Sequence, residues 1–219
     1  ALAARLAWHY PHGAEVELPS KLTATQLKGR ALDEEVAEAA VRPPRPIRLG
    51  RPRFATEEFG LTPAQKGTAL HLVMQYIDFE RTERVEQVRA EIQQGEAVDP
   101  AKIAAFFASP LGRELMASTS LRREFKFSIL VPAADYYPQA GAEEQVLLQG
   151  VVDCCFETLE GITVVDFKTD RVDRRSVAAR AEEYRPQLAA YSRALEEITG
   201  KPVIRRCLWF FALDQAVDV

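Results

Sequence analysis

Residues 146–169 constrain the fold more than any other part of the chain. VLLQGVVDCCF (146–156) is apolar and β-branched, LEG (159–161) supplies a turn, and ITVVDFKT (162–169) is a second apolar run, so the segment predicts an antiparallel hairpin. Strand side chains alternate, which puts Asp166 and Lys168 on one face and Val165 and Phe167 on the other. Pairing of the two strands could bring Asp153 beside Asp166 as two hard oxygen ligands. A cation such as Mg²⁺ takes few carboxylates together with water and phosphate. Lys168 could then orient or help deprotonate an attacking water. The same letters also fit a solvated hairpin face whose Asp and Lys meet only water.

Three further segments narrow the choice. Residues 61–79 predict a helix: Thr62 can cap it, Pro63 fits its first turn, and Leu70, Val73, Met74 and Ile77 recur at helical spacing. Gly67 and His71 lie one turn apart on it, although a lone helical histidine is more often packed or exposed than a ligand. A second helix starts near Tyr184, carries Pro186 early, and stops at Gly200 and Pro202. On it Leu188, Tyr191 and Leu195 form an apolar stripe, and Gln187, four residues before Tyr191, is the odd polar residue. Before the hairpin, residues 122–131 alternate Phe125, Phe127 and Ile129 with Glu124, Lys126 and Ser128. Glu124 could therefore project toward the aspartates or simply into solvent.

Taken in order, Gly67-x-x-x-His71, Gly150-x-x-Asp153, Asp166-Phe167-Lys168-Thr169 and Gln187-x-x-x-Tyr191 resemble the RecB-like branch of the PD-(D/E)xK nuclease superfamily. The opening segments Trp8-His9-Tyr10-Pro11 and Leu18-Pro19-Ser20-Lys21-Leu22-Thr23 extend the resemblance to the nuclease domains of AddA-type helicase-nuclease subunits, over nearly the whole chain. The resemblance implies an α/β fold, a restriction-endonuclease-like core with a mixed central β-sheet flanked by helices, plus an N-terminal helical or linker segment. It implies a DNA nuclease dependent on Mg²⁺ or Mn²⁺. His71, Asp153, Asp166 and the Phe167 carbonyl would hold metal, Lys168 would assist the nucleophile, and Gln187, Tyr191 and Thr169 would support the site and DNA. Glu124 would be the family's additional acidic residue. The implied substrate is DNA, single-stranded and cut by exonuclease action. The implied partners are helicase motor domains of the same full-length chain and an AddB-like subunit, in double-strand-break repair and recombination. The family's proline before the first acid is replaced by Val152.

The remaining sequence sets limits. The 219 residues with 47% apolar content suffice for one sizeable core, the apolar runs are too short to span a bilayer, and no secretory signal is visible, so a cytoplasmic protein without membrane contact is expected. Three cysteines, two of them adjacent, lack any C-x-x-C spacing, so buried reduced thiols and no iron–sulfur cluster are expected. No G-x-x-x-x-G-K-[ST] loop is present, hence no ATP site is expected in this chain. The expected organisation is a connecting segment with an Arg/Pro-rich linker over 1–58 and the nuclease domain over 59–219, with Thr23 and Gln26 as a capping box opening an early helix. The absence of an initiator Met predicts a piece of a longer protein. Helices are also expected over 81–94, from Asp99-Pro100, and from Ser109-Pro110 to Met116, and a final strand over 203–213.

The net charge of −4 predicts weak DNA capture by the chain alone, since phosphate binding needs clustered positive charge. Arg171, Arg174, Arg175 and Arg180 follow the Asp166 strand and are the favoured phosphate contacts, although they could equally pair with Glu182 and Glu183. The alternative is a non-catalytic module that guides DNA or docks a partner subunit; degraded acids would be its signature, and they are intact. A stand-alone restriction or repair nuclease would need a more basic surface.

Overall fold

The computed structural model describes residues 16, 18–28, 63–79, 82, 98–118 and 120–219. The 42–53 linker, the Thr62 cap, the preamble through Pro11 and almost all of the 81–94 helix lie outside the described residues, as does the expected boundary at 58–59. The described strands are β1 (Lys21–Thr23), β2 (Leu121–Pro132), β3 (Gln145–Glu157), β4 (Ile162–Lys168), β5 (Val203–Phe210) and β6 (Gln215–Asp218). The helices are α1 (Pro63–Tyr76), α2 (Pro100–Ala108), α3 (Pro110–Ala117), α4 (Val177–Glu182) and α5 (Arg185–Thr199). Asp99 and Ser109 accept from the backbone N–H groups of Ala101 and Gly112 and so cap α2 and α3, each followed by proline.

The strands form one mixed sheet. β3 pairs antiparallel with β2 and β4, β4 runs parallel to β5, and β6 returns antiparallel to β5. The strand expected over 203–213 ends at Phe210, and after a turn through Asp214 (φ 50°) a further strand, β6, follows that the sequence reading did not foresee. Helix α4 was not foreseen, and the Thr23 box opens a 3-10 helix, Ala24–Leu27, in which the Thr23 N–H donates to Gln26 Oε1 at 2.8 Å. The segment expected to be a connector also contributes here: β1 pairs parallel with β3, and Leu22, Ala24 and Leu27 are buried.

Helices cover both faces, the mixed α/β sandwich that the hairpin and helix patterns predict. On one face Leu188, Tyr191 and Leu195 of α5 pack on Val152, Val164, Leu208 and Phe210. On the other, Leu70 and Met74 of α1 join Phe106, Leu111 and Leu115 of α2 and α3 against Cys154, Val165, Phe167 and Trp209. Phe106 is fully buried and meets Phe167 and Trp209 edge-on, with ring centroids 5.2 and 5.1 Å away.

Two irregularities in this sheet create the site. Because β2 pairs along one edge of β3 from Gln145 to Phe156, β1 and β4 must share the other edge, β1 at Leu147–Gln149 and β4 only from Cys154 onward. The edge between is open. In addition, β2 and β3 skip one pair, Glu124 with Asp153, and Glu124 stands at φ 49° in the left-handed region. Alternation restarts there: Leu148 and Val152 face the α5 layer, whereas Cys154 and Phe156 face the α1–α3 layer. The unbroken alternation expected for 122–131 ends at Glu124 for the same reason.

Candidate active site

Asp153 sits at the break. Instead of a ladder bond from a β3 carbonyl, the Phe167 N–H finds the Asp153 carboxylate, Oδ2 at 2.9 Å. The side chain thus lies across the gap where β3 and β4 part. Asp166, the residue before Phe167 on β4, lines the same gap and is 2% exposed. The solvated hairpin face that the same letters also fit is therefore not what forms, because Asp166 is buried. Lys168, two residues on, forms an ion pair with Asp166 Oδ2. Burial pushes the Asp153 carboxyl well above the usual carboxylate range and the Asp166 charge adds to this, with the Phe167 N–H and Lys168 opposing.

The two helical layers supply the rest. Helix α1 brings His71, whose Nδ1 is 3.4 Å from Asp153 Oδ2. A Cβ on Gly67, one turn earlier, would come 2.9 Å from Thr169 Oγ1, so glycine permits the close approach of α1 to the end of β4. Arg123 fastens the far end of α1, donating to the Ile77 carbonyl at 2.8 Å with its guanidinium 4.4 Å from the Phe79 ring centre. Burial lowers the His71 pKa despite the opposing Asp166 charge, which favours the neutral imidazole that a metal ion requires. From the opposite layer, α5 presents Gln187, 4% exposed, whose Nε2 donates to the Tyr191 hydroxyl at 2.7 Å while Oε1 is buried and unpaired.

An open cleft of about 580 Å³ leads to these groups, lined by Thr23, Thr25, Lys126, Gln149, Gly150, Asp153, Asp166, Gln187 and Tyr191 among others. Its floor is Gly150, where a Cβ would lie 2.6 Å from the Phe127 ring, itself packed edge-on to Tyr191 at 5.9 Å. Glu124 is half-buried opposite the Asp153 position, its carboxyl pushed up by burial and partly restored by Lys126. Its charge acts on Tyr191, although it does not line the cleft.

Sequence reasoning overlooked the cleft wall: Lys126, Gln149, Thr23 and Thr25 come from three separate strands and the 3-10 helix, and only the pairing of β3 with both β1 and β2 makes them neighbours. Conversely, Arg171 and Arg174 are exposed on the loop after β4 and do not line the cleft. Arg180 is engaged by Asp170 and Glu183. Cys154, Cys155 and Cys207 are buried free thiols; Cys154 and Cys155 face opposite layers, and burial pushes Cys155 up to about 11.

Among the described residues, no three His, Cys, Asp or Glu side chains stand together as a ready metal cage. The donors nonetheless suit a hard divalent cation: a buried carboxylate, a second carboxylate beside it, a neutral imidazole, and an open side for water and phosphate.

A family model described as the PD-(D/E)XK nuclease superfamily matches residues 44–217. The chain belongs to this superfamily. Among curated proteins it is similar to the AddA-type ATP-dependent helicase/nuclease subunit of Acetivibrio thermocellus, 40% identical over 95% of this chain and 18% of that protein. The corresponding proteins of Desulforamulus reducens, 35% identical over 98% and 18%, and Moorella thermoacetica, 40% identical over 99% and 16%, are similar in the same way. The chain thus spans less than a fifth of the length of these relatives. Among the described residues, no helix is long and apolar enough to cross a membrane.

Proposed function

We propose that this chain is the metal-dependent deoxyribonuclease unit of a helicase-nuclease subunit, hydrolysing phosphodiesters of single-stranded DNA by exonuclease action in double-strand-break repair and recombination. The observation that carries the reading is Asp166, a buried carboxylate paired with Lys168 and placed beside Asp153 where the β3 edge opens into a cleft. Asp153, Asp166, the Phe167 carbonyl and His71 would hold Mg²⁺ or Mn²⁺. When bound, the cation supplies Lewis-acid polarisation of the scissile phosphate and stabilises charge in the transition state. Lys168, beside Asp166, holds and orients the water that attacks phosphorus, and Gln187 with Tyr191 supports the opposite wall. Lys126 on the cleft wall is the nearest cation for the DNA backbone, with Arg171 and Arg174 further along its path.

The overall charge of −4 leaves substrate delivery to helicase motors and an AddB-like partner protein, in keeping with the names and lengths of the relatives. Such an assembly works in the cytoplasm. The test is cleavage of end-labelled single-stranded DNA with Mg²⁺, Mn²⁺ or EDTA, comparing the chain with Asp166→Asn, which preserves shape at a buried position. Metal-dependent cutting lost in the variant is expected, and equal cutting by both proteins would overturn the site. A folded chain that neither cuts DNA nor binds Mn²⁺ would instead favour a DNA-guiding or docking role.

A further inference from the structure

We propose that Tyr184 positions Lys168, its ring acting as a second anchor for the ammonium group apart from Asp166; the proposal rests on the nuclease reading for the role of Lys168. The Lys168 Nζ lies 4.0 Å from the centre of the Tyr184 ring, within the range in which a ring face attracts a cation. Tyr184 is 3% exposed, so the ring is a fixed wall of the Lys168 pocket rather than a surface group.

The ring is itself locked. The Tyr184 hydroxyl donates to Asp170 Oδ2 at 2.8 Å, and the other oxygen of Asp170 is held by the Arg180 guanidinium, with Nε at 2.8 Å. Lys28, arriving from the 3-10 helix beside β1, donates to the same hydroxyl at 2.5 Å. Lys28, far away in sequence, thus joins the nearby Asp170 and Arg180 around one phenol, and no cleft-lining residue is among them. This explains why Arg180, expected to contact DNA, is spent on Asp170 instead.

The arrangement matters because Asp166 has two claims on it. It pairs with Lys168 here, and with Asp153 it is one of the two cleft-lining carboxylates that would serve a divalent cation. If the cation draws on Asp166, the ammonium loses its ionic partner to competition, while the ring face remains. A neutral π-surface can hold the ammonium without competing for the metal, which a second carboxylate could not do.

The experiment uses the chain with Tyr184→Leu, which removes the ring, and Tyr184→Phe, which keeps it. A ring 4 Å from an ammonium shifts the resonances of the adjacent Lys168 Cε protons upfield; the signal is assigned by its loss in Lys168→Ala and read with and without Mg²⁺. The shift is expected to persist in Tyr184→Phe and vanish in Tyr184→Leu, in both conditions. In single-stranded DNA cleavage, Tyr184→Leu is expected to lower kcat on the order of tenfold with KM within about twofold, and Tyr184→Phe to restore most of it. A folded Tyr184→Leu with an unchanged Lys168 shift overturns the proposal, as does one with unchanged kcat. If the shift behaves as expected but wild type neither cuts DNA with any metal nor binds Mn²⁺, the anchor stands and the nuclease reading fails.

Discussion

Replacing Asp153 by Asn tests whether this centre is built for a cation rather than for stability. Continuing the β3–β4 register places Asp153 opposite Asp166, and cross-strand neighbours lie about 5 Å apart. Two like charges at that distance repel by about 3 kcal/mol at an effective dielectric of 20. Asparagine removes the repulsion and keeps an acceptor for the Phe167 N–H, but it loses about 1 kcal/mol from that bond's charge and a similar amount from attraction to Lys168. The net is a gain of about 1 kcal/mol, or a Tm about 2–4 °C higher for a chain of this size.

The pH dependence has a definite sign. Burial and Asp166 raise the folded pKa of Asp153, so the folded state binds more protons than the unfolded one above the ordinary carboxylate pKa of about 4. Wild-type stability in EDTA therefore falls as pH rises through the folded pKa. The advantage of Asp153→Asn should grow as pH rises through the folded pKa and close toward pH 4. Excess Mg²⁺ or Mn²⁺ should stabilise wild type and leave the variant unmoved. Scanning calorimetry across pH, with EDTA or metal, measures all of this. A variant less stable than wild type at pH 8 in EDTA would refute the reasoning, because Asp153 would then be a net structural asset.

Gly150→Ala should cost about 1–3 kcal/mol, since its Cβ would lie 2.6 Å from the Phe127 ring, and Phe127→Leu in the same chain should recover part of the loss in chemical denaturation. Asp170→Asn should remove a stabilisation that exists at neutral pH. Although burial alone would raise the Asp170 pKa, bonds from Tyr184 and Arg180 hold it below the usual value, so the wild-type advantage is present above about pH 4 and disappears as pH falls through the lowered folded pKa, read as converging Tm values. Cleavage by wild type should be abolished by EDTA and restored by Mn²⁺.

Much of this protein is written in local sequence. The hairpin of β3 and β4, the caps and prolines of α2 and α3, and the span of α5 ending at Gly200 (φ 69°) depend on neighbours a few residues apart, which is why period and turn chemistry reveal them. The order of Gly67, His71, Gly150, Asp153, Asp166, Lys168, Gln187 and Tyr191 was likewise legible. What these residues experience was not. Alternation places Asp166 on the correct face but treats that face as wet, whereas α5 and the 3-10 helix cover it, and burial is a property of what packs on top. The break at Glu124 and Asp153 was hidden because a left-handed residue in a strand carries no signature when it is glutamate rather than glycine. The cleft arises because β1, more than 120 residues upstream in sequence, takes the same edge of β3 as β4 and stops short of it. Local composition thus determined which chemical groups the chain owns, and long-range strand pairing decided which are buried, which come together, and where a substrate can enter.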